Sequence, residues 1–427
     1  MSAPLPAFSG YGIELEYAIV DRENLSIMAI ADEFLHKLSG SYNSAVSVGE
    51  VGWSNELVEH QIELKNIKPH AAIESLLPAF QAEIQRADQI LESMGAKLMP
   101  AGMHPWMNPL VETNVWKGDN SEIYNAYDRI FGCRSHGWAN LQSMHLNLPF
   151  GDDIQFERLH AAIRILLPIL PALAASSPIA DGVYSGFLDF RMKNYCDHQM
   201  KFPITMGRVI PDTVTSPAAY TDEILAQMYR EVAGSDPEGI LQYEWLNARG
   251  VIPRFDRNAL EIRVIDSQEC LQADLAIAAA VTGIVHAFYD EVYATLEEQQ
   301  AIGTDALAEI LQSCIRDGEL AIVDNAAYLQ LMGFPSRHCE ARELWRNLTV
   351  MMHQSQVERS PNLEKAVDTI LKQGPLARRI LRTLGPVWQE AQLRAVYDEL
   401  CTCLEEGRMF LGLKQSPERQ AGSLSRS

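Results

Sequence analysis

Four short segments of the chain alternate apolar and polar residues, which is the pattern of a half-buried β-strand. They span residues 12–20, 58–64, 141–148 and 260–265. Because alternate side chains of a strand point to the same side, each segment has one apolar and one polar face. The polar positions are Glu14, Glu16, Glu59, Gln61, Glu63, Ser143, His145, Asn147, Glu261 and Arg263. Like charges that face one another destabilise a sheet. We therefore expect these glutamates to require a shared cation.

Apolar residues spaced by three and four positions predict helices between these strands. The helical stretches are residues 73–94, 156–175 and 271–296. Gly95 follows the first of them, where a C-terminal cap is expected. Residues 247–253 and 259–265 flank a turn at 256–258 and predict a β-hairpin. The pattern as a whole predicts an α+β fold, in which helices pack on one face of a sheet that is at least partly antiparallel.

Strand signals disappear beyond about residue 300, where helical patterns take their place. These patterns cover residues 305–317, 340–357, 361–372 and 386–406. The last stretch of the chain is polar and rich in Ser, Gln and Gly. We therefore predict a ligand-binding sheet domain at 1–300, a helical C-terminal region packed on it at 301–413, and a flexible tail at 414–427.

The composition narrows the class of protein. Acidic residues outnumber basic residues by 56 to 35, which gives a formal charge of −21. Such a surface repels nucleic acids and anionic lipids, so we expect neither as a partner. The most apolar stretches, residues 159–178 and 275–289, are interrupted by Arg164 and prolines or are too short to span a bilayer. Seven scattered cysteines without CxxC spacing and a start without a secretory signal predict a cytoplasmic protein.

The glutamates of the polar faces form a candidate metal cluster. Its members are Glu14, Glu16, Glu59, Glu63, His145 and Glu261. Magnesium takes carboxylate oxygens together with substrate phosphates, so the cluster predicts two or three such ions and a nucleotide triphosphate. Arg263 is the one cation expected among these positions and would stabilise a transferring phosphoryl group. Glu261 and Arg263 are the predicted catalytic residues, and His145 and Arg263 the predicted cofactor contacts. A solvated acidic strand face is the alternative.

Other chemistry is less well supported by the sequence. It contains no Walker loop, HExxH or GxSxG motif. The run Gly10-Tyr11-Gly12 has Leu15 where the third glycine of a dinucleotide fingerprint belongs. His104, between prolines at 100 and 105, is a candidate substrate contact, and a purely structural turn is the alternative there.

The segment Gly12-Ile13-Glu14-Leu15-Glu16-Tyr17 resembles the Gly-x-Glu-x-Glu opening of the glutamate–cysteine ligase superfamily, especially its bacterial carboxylate-amine ligase branch, family 2. Three later blocks agree with that family in order and spacing. They are residues 98–105, 176–182 and 260–266, which resemble its proline-glycine-histidine-proline segment, its serine-serine-proline block and its glutamate-x-arginine strand.

The resemblance implies a glutamine-synthetase-like sheet and an ATP-dependent ligase. Such an enzyme activates a small carboxylate as an acyl phosphate, which an amine then attacks to give an amide. The implied ions are Mg²⁺, with Mn²⁺ as an alternative, and a homodimer is compatible with the family. Position by position, the magnesium ligands match Glu14, Glu16, Glu63, His145 and Glu261, with Glu56 or Glu59 in addition. Arg263 matches the arginine that meets the phosphoryl group.

The substrates are left open by the sequence. Residues 191–211 do not match the family closely enough to assign glutamate, and a carboxylate there would be held by Arg191, Lys193 or Arg208. The residues beside His145 also lack the family's second histidine and following glycine. A non-catalytic nucleotide or amino-acid sensor and a metal-dependent hydrolase remain as alternative functions.

Overall fold

The computed structural model describes residues 4–352 and 360–413. The strands are β1 (Gly12–Asp21), β2 (Ala45–Val48), β3 (Val51–Asn55), β4 (Gln61–Asn66), β5 (Ala96–Met99), β6 (Ser143–Pro149), β7 (Ile179–Ala180), β8 (Val183–Tyr184), β9 (Val251–Arg254), β10 (Ala259–Asp266), β11 (Ile322–Val323) and β12 (Cys339–Glu340). The predicted tail at 414–427 and the end of the helix predicted at 340–357 lie outside the described residues.

Helices lie between single strands or groups of strands up to β10 and then dominate the chain. They are α1 (Ala31–Ser39), α2 (Leu77–Glu92), α3 (Pro109–Glu112), α4 (Ser121–Phe131), α5 (His136–Ala139), α6 (Asp153–Leu166), α7 (Leu170–Ala174), α8 (Phe190–Tyr195), α9 (Pro217–Tyr220), α10 (Ala226–Val232), α11 (Leu271–Tyr289), α12 (Leu296–Ala301), α13 (Thr304–Asp317), α14 (Ala326–Leu331), α15 (Ala341–Met352), α16 (Pro361–Gln373), α17 (Leu376–Leu384) and α18 (Glu390–Glu406).

One eight-stranded sheet organises the molecule. Its strands follow the order β2-β3-β4-β1-β6-β10-β9, and β5 pairs with the end of β1. Every pairing in it is antiparallel, and β9 and β10 form the hairpin that the sequence predicts. These pairings confirm the predicted fold class, a mixture of helices with an antiparallel sheet.

The apolar face of the sheet packs against helices and forms the main core. Helices α6, α7 and α11 cover this face, and α15 and α16 pack against α11. Helix α11 is long and apolar enough to span a membrane, but 83% of its apolar 18-residue window is buried inside the protein. It is therefore a core helix. Because the helices cover the apolar face of the sheet, the polar face is left for a site.

Prolines accompany two differences between the predicted and observed helices, whereas the helix predicted at 271–296 ends at Tyr289 without a proline. The stretch at 156–175 is divided into α6 and α7 by a 3₁₀ turn at Leu167–Ile169, in which Pro168 cannot donate a main-chain hydrogen bond. Helix α2 begins at Leu77, next to Pro78, after a 3₁₀ turn. The short strands β11 and β12 lie in the region where the sequence predicts helices alone.

Candidate active site

Strand pairing brings the polar positions of five strands together on the face opposite the helices. The paired positions are Glu14 with Lys65 and His145, Glu16 with Glu63, Ser54 with Glu63, and Glu261 with Asn147. Cβ atoms of directly paired residues are roughly 4.5–5.5 Å apart. The register of the sheet alone therefore gathers the predicted glutamates of β1, β4 and β10 around His145.

A β-bulge in β10 affects the neighbourhood of Arg263. From Ile262 to Ile265 this strand advances three residues while β6 advances two. The alternation of apolar and polar side chains therefore changes phase after Arg263. Asp266, which regular alternation would place with the apolar residues, pairs instead with Ser143. Bulges bend a strand and re-aim its side chains, and they are common beside active sites.

Serine hydroxyls fix two of the carboxylates. Glu16 Oε2 accepts hydrogen bonds from the main-chain N of Ser143 at 2.6 Å and from its Oγ at 2.8 Å. Glu63 Oε1 accepts a hydrogen bond from Ser54 Oγ at 2.9 Å. These carboxylates are almost fully buried, so the hydrogen bonds offset part of the cost of removing their charge from water.

Four basic side chains line the same cavity as the carboxylates: Lys65, Arg254, Arg257 and Arg263. Arg254 Nη1 is 2.6 Å and Arg263 Nε 3.1 Å from the Glu261 carboxylate. Arg257 Nη1 is 3.4 Å from Glu14, and Lys65 is paired with Glu63. The expectation of Arg263 as the one cation is therefore wrong. A mixture of carboxylates and basic groups offers ligands to divalent cations and to phosphate oxygens alike.

Burial and mutual repulsion change the protonation of the carboxyl groups. Burial, followed by the charge of Glu14, raises the pKa of Glu63 to about 7. Burial and the charges of Glu16 and Glu63 raise the pKa of Glu56 well above its ordinary value. Burial acts in the same direction on Glu14, but the hydrogen bond and charge of His145 hold its pKa well below the ordinary value. Part of the cluster therefore keeps a proton near neutral pH until a cation displaces it.

Two overlapping sets of ligand atoms are compact enough to hold cations. Glu14, Glu63 and His145 form the first set, and Glu16, Glu56 and Glu63 the second. The ligand atoms of each set lie within 4.8 Å of one another. Carboxylate oxygens are hard ligands that suit Mg²⁺ and Mn²⁺, and the raised pKa values of Glu56 and Glu63 mark carboxylates short of counter-charge. The residues present therefore fit a pair of divalent cations that share Glu63.

Three adjoining cavities lie along the polar face. The cluster cavity, of about 330 Å³, is lined by the glutamates and basic residues above. It shares Glu14 and Lys65 with a glycine-rimmed cavity of about 370 Å³, bordered by Gly10, Gly12 and Gly52. It shares Glu16 and Glu56 with an aromatic cavity of about 590 Å³. The rings of the aromatic cavity are Tyr124, Tyr127, Trp138, Tyr195, His198 and Trp245.

Glu59 does not join the cluster, which corrects its expected place among the metal ligands. Strand β4 begins only at Gln61, because a turn precedes it. In this turn the main-chain O of Val58 accepts a hydrogen bond from the main-chain N of Gln61 at 3.2 Å. Glu59 therefore precedes the strand and lines a separate cavity of about 560 Å³, where its carboxylate is 3.6 Å from Lys117 Nζ. Glu56, the other residue that the family resemblance offered, lines the cluster cavity instead.

Only one of the two residues predicted to contact the substrate lines a cavity of the site. His104 is buried, its Nε2 is 2.8 Å from the main-chain O of Leu25, and burial lowers its pKa to about 3. It lines none of the three cavities, so it is a structural histidine. Arg191 lines the aromatic cavity, as its prediction as a substrate contact requires.

Sequence reasoning missed Lys65, Arg254 and Arg257. Lys65 continues the alternation of Gln61 and Glu63, so extending the predicted strand would have found it. Arg254 and Arg257 belong to the predicted hairpin. The contact of Arg254 with Glu261 depends on the register of the hairpin, and the contact of Arg257 is with Glu14, which is distant along the chain.

Comparisons with known proteins agree with the family resemblance of the sequence. The family model described as glutamate-cysteine ligase family 2 matches residues 11–399. An uncharacterized protein of Archaeoglobus fulgidus is 33% identical over 400 residues, 94% of this chain and 100% of that protein. A Ralstonia pickettii protein, provisionally named glutamate–cysteine ligase 2, is 24% identical over 280 residues, 64% of this chain and 66% of that one. The structure of a Francisella tularensis glutamate–cysteine ligase in complex with AMP has the same fold, with a TM-score of 0.64 and 14% identity over 96% of this chain and 91% of that one.

Proposed function

The chain belongs to glutamate–cysteine ligase family 2, and from this premise we propose that it is an ATP-dependent carboxylate–amine ligase. The reaction would join a carboxylate to an amine as an amide and release ADP and phosphate. The proposal also includes an acyl-phosphate intermediate, divalent cations at the cluster, and glutamate as the first donor to test, since relatives carry glutamate–cysteine ligase in their names.

The observation that carries this proposal is that the cluster cavity shares lining residues with each of two larger cavities. Phosphoryl transfer requires the attacking and leaving oxygens to lie roughly in line on opposite sides of the phosphorus. A nucleotide and a carboxylate must therefore approach the cluster from opposite sides. Lys65, which lines the glycine-rimmed cavity and the cluster cavity but not the aromatic cavity, suits a triphosphate that enters from that side, and Arg257, which lines all three cavities, would meet its phosphates. The aromatic cavity, with Arg191 and Arg263, would take the carboxylate and the amine.

The chemistry would proceed in two balanced steps. A carboxylate oxygen attacks the γ-phosphorus, the bond to the β,γ-bridging oxygen breaks, and ADP leaves. The amine nitrogen then attacks the acyl carbon, and phosphate departs with the former carboxylate oxygen. The amine loses its proton to solvent or to a nearby carboxylate. In this scheme Arg263, which Glu261 holds by an ion pair, contacts the transferring phosphoryl group.

The cation ligands would be Glu14, Glu16, Glu56, Glu63, His145 and Glu261. When bound, divalent cations neutralise the charge of phosphate oxygens as Lewis acids. The chain itself keeps the ligands oriented: Ser143 and Ser54 donate hydrogen bonds to Glu16 and Glu63, and Arg254 is paired with Glu261. Such support of ligands by neighbouring groups is typical of working metal sites.

Phosphate release from ATP tests the proposal. The full chain is incubated with ATP and Mg²⁺ and with amino acids, other carboxylates and amines, singly and in pairs, and products are analysed by mass. We expect release that depends on one carboxylate and one amine, together with a product of amide mass. ATP binding without pair-dependent release would contradict the ligase and favour a sensor. Amide hydrolysis without ATP would favour a metal-dependent hydrolase.

A further inference from the structure

His198 lines the aromatic cavity and takes no part in the proposed cation site. It follows helix α8, within the segment 191–211 that the family resemblance leaves unassigned. The residue is half-buried, and it shares the lining of this cavity with Arg263, which lines the cluster cavity as well. The imidazole therefore lies beside the place where the proposed reaction joins a carboxylate to an amine.

A hydrogen bond to the main chain fixes which nitrogen of the ring is protonated. His198 Nδ1 is 2.5 Å from the main-chain O of Tyr195. A carbonyl oxygen only accepts hydrogen bonds, so Nδ1 carries the proton and Nε2 of the neutral ring carries a lone pair. Nε2 has no hydrogen-bond partner among the described residues, and it is accessible to solvent. The lining of the cavity therefore includes a free imidazole lone pair.

The surrounding residues hold this imidazole in one place. Its ring centroid is 4.6 Å from that of Trp138, edge to face, and 4.5 Å from that of Tyr195. Trp138 Nε1 donates a hydrogen bond to the main-chain O of His198 at 3.0 Å. A Cβ added to Gly137 would lie 2.8 Å from His198 Cβ, so the glycine lets helix α5 approach this closely. A base held in this way does not have to be oriented during the reaction.

Burial and a neighbouring charge keep the imidazole neutral. Burial lowers the pKa of His198 to about 4, and the charge of Arg263 acts in the same direction, against the hydrogen bond to Tyr195 and the charge of Asp197. The ring is therefore unprotonated at neutral pH, as a proton acceptor must be. In the proposed reaction a phosphoryl group would pair with Arg263 and offset its charge. The imidazole would then be a stronger base when the acyl phosphate is present.

The carboxylates that line the aromatic cavity are less suited to accept a proton. Within the described part of the chain they are Glu16 and Glu56, and both belong to the proposed set of cation ligands. Glu16 also accepts two hydrogen bonds from Ser143. A carboxylate that binds a cation is a weaker base, because the charge of the cation favours its deprotonated form. The imidazole has neither commitment.

We propose that His198 is a further catalytic residue of the reaction, and that its Nε2 accepts the proton that the amine loses. The amine nitrogen bonds to the acyl carbon, and its N–H proton passes to Nε2. The bond from the acyl carbon to the phosphate oxygen breaks, and its electron pair leaves with phosphate. Nδ1 keeps its own proton, and Nε2 later releases the new one to solvent. The inference rests on the proposed function and assigns a group to its second step.

Two substitutions remove the base and differ in what else they remove. His198→Asn places an amide nitrogen where Nδ1 stands, so the hydrogen bond to Tyr195 is kept while the lone pair of Nε2 is lost. His198→Gln places its amide near Nε2 instead, and it keeps the test decisive if the first variant does not fold. The matched control is His136→Gln. His136 is a half-buried histidine whose Nε2 is 3.5 Å from Asp181 Oδ1, and it lines none of the three cavities.

The assay separates the two steps of the reaction. The wild-type protein and the variants receive the donor found in the phosphate-release experiment, with either its amine or hydroxylamine as the acceptor. Hydroxylamine is unprotonated at neutral pH and is a strong nucleophile, so its attack depends less on a base. Acyl-phosphate formation is followed by itself, without an acceptor, through the exchange of ¹⁸O between the β,γ-bridging and β-non-bridging positions of ATP.

We expect His198→Asn and His198→Gln to lower kcat with the amine by about 10²-fold. With hydroxylamine, kcat should stay within about threefold of the wild-type value, while isotope exchange and the KM for ATP should be unchanged. The control should match the wild-type protein in every assay.

Normal turnover with the amine in both His198 variants would overturn the inference. So would equal losses with the amine, with hydroxylamine and in isotope exchange, because they would show that His198 only supports the shape of the cavity. Both results are measured against wild-type turnover, so they leave the ligase proposal intact. Failure of the ligase proposal has a different sign, which is the absence of pair-dependent phosphate release in the wild-type protein.

Discussion

The cluster cavity and the aromatic cavity adjoin, yet they are built from different parts of the chain. Except for Glu56, which follows β3, the residues of the cluster come from neighbouring strands of one sheet, whose pairing fixes their spacing. The wall of the aromatic cavity comes from short helices and turns: α4, α5, α8 and the 3₁₀ turn that holds Trp245. Side chains on strands and helices are held more precisely than side chains on turns. Under the proposed function, the sheet would carry the phosphoryl chemistry and the short helices would select the substrate.

Replacing a carboxylate of the cluster should have the largest effect. Glu14→Gln and Glu261→Gln each remove a ligand charge without a change of volume, and we expect turnover to fall by about 10³-fold or more with thermal unfolding still cooperative. The measurement is steady-state phosphate release together with a melting curve. Glu59→Gln is the matched control, since Glu59 has the same residue type but lies outside the cluster. A loss of turnover in this control, or none in the other two variants, would contradict the assignment.

Arg263→Lys should have the next largest effect. Lysine keeps the positive charge but loses the planar guanidinium, whose Nε is 3.1 Å from Glu261 and which would contact phosphate oxygens in the proposed reaction. We expect kcat to fall by about 10²-fold, with a much smaller change in the KM for the carboxylate. Arg208→Lys is the control, because Arg208 is exposed, its Nε is 3.0 Å from the exposed carboxylate of Asp305, and it lines none of the three cavities. Normal kcat in Arg263→Lys would remove this residue from phosphoryl transfer.

Cation binding should depend on pH through Glu63. Its pKa is raised to about 7 from an ordinary value of 4.5, so the cation-free protein keeps this proton below pH 7 and loses it above. A cation needs the deprotonated carboxylate, and its affinity should therefore fall about tenfold for each pH unit below 7. We expect Mg²⁺ to raise the melting temperature more at pH 8 than at pH 6. Equal stabilisation at the two pH values would show that Glu63 is not a ligand.

Tyr195→Phe should have the smallest effect and act on the aromatic cavity alone. It removes a buried hydroxyl that has no partner among the described residues, so stability should be nearly unchanged or slightly improved. If the hydroxyl binds substrate, the KM for the carboxylate should rise about three- to tenfold with kcat and the KM for ATP preserved. An equal loss in kcat would instead connect Tyr195 with the chemistry at the cluster.

Alternation along strands predicts which side chains share the polar face of the sheet, but not the residues around them. Glu14, Glu16, His145 and Glu261 were identified because a period of two places them on one face. The same pattern misplaces Glu59, because the turn from Val58 to Gln61 shows the same alternation of apolar and polar residues as a strand. The change of phase after Arg263 depends on pairing between strands, which a single sequence does not show.

The lining of the aromatic cavity shows a second limit of sequence reasoning. Arg191 is separated by 75 residues from Asp266, which holds it, and no local pattern connects the two. The same holds for Arg257 and Glu14, whose contact joins the β9–β10 turn to β1. Cytoplasmic location, the homodimer and the domain limits stay predictions of the sequence.

Transfer of oxygen from the carboxylate to phosphate tests the central proposal most directly. The donor found in the phosphate-release experiment is labelled with ¹⁸O in its reacting carboxylate, and the products are analysed by mass spectrometry. Activation as an acyl phosphate predicts one labelled oxygen in the released phosphate for each amide formed, and loss of both products in Glu261→Gln. Amide formation with unlabelled phosphate, or with the label in AMP, would contradict it.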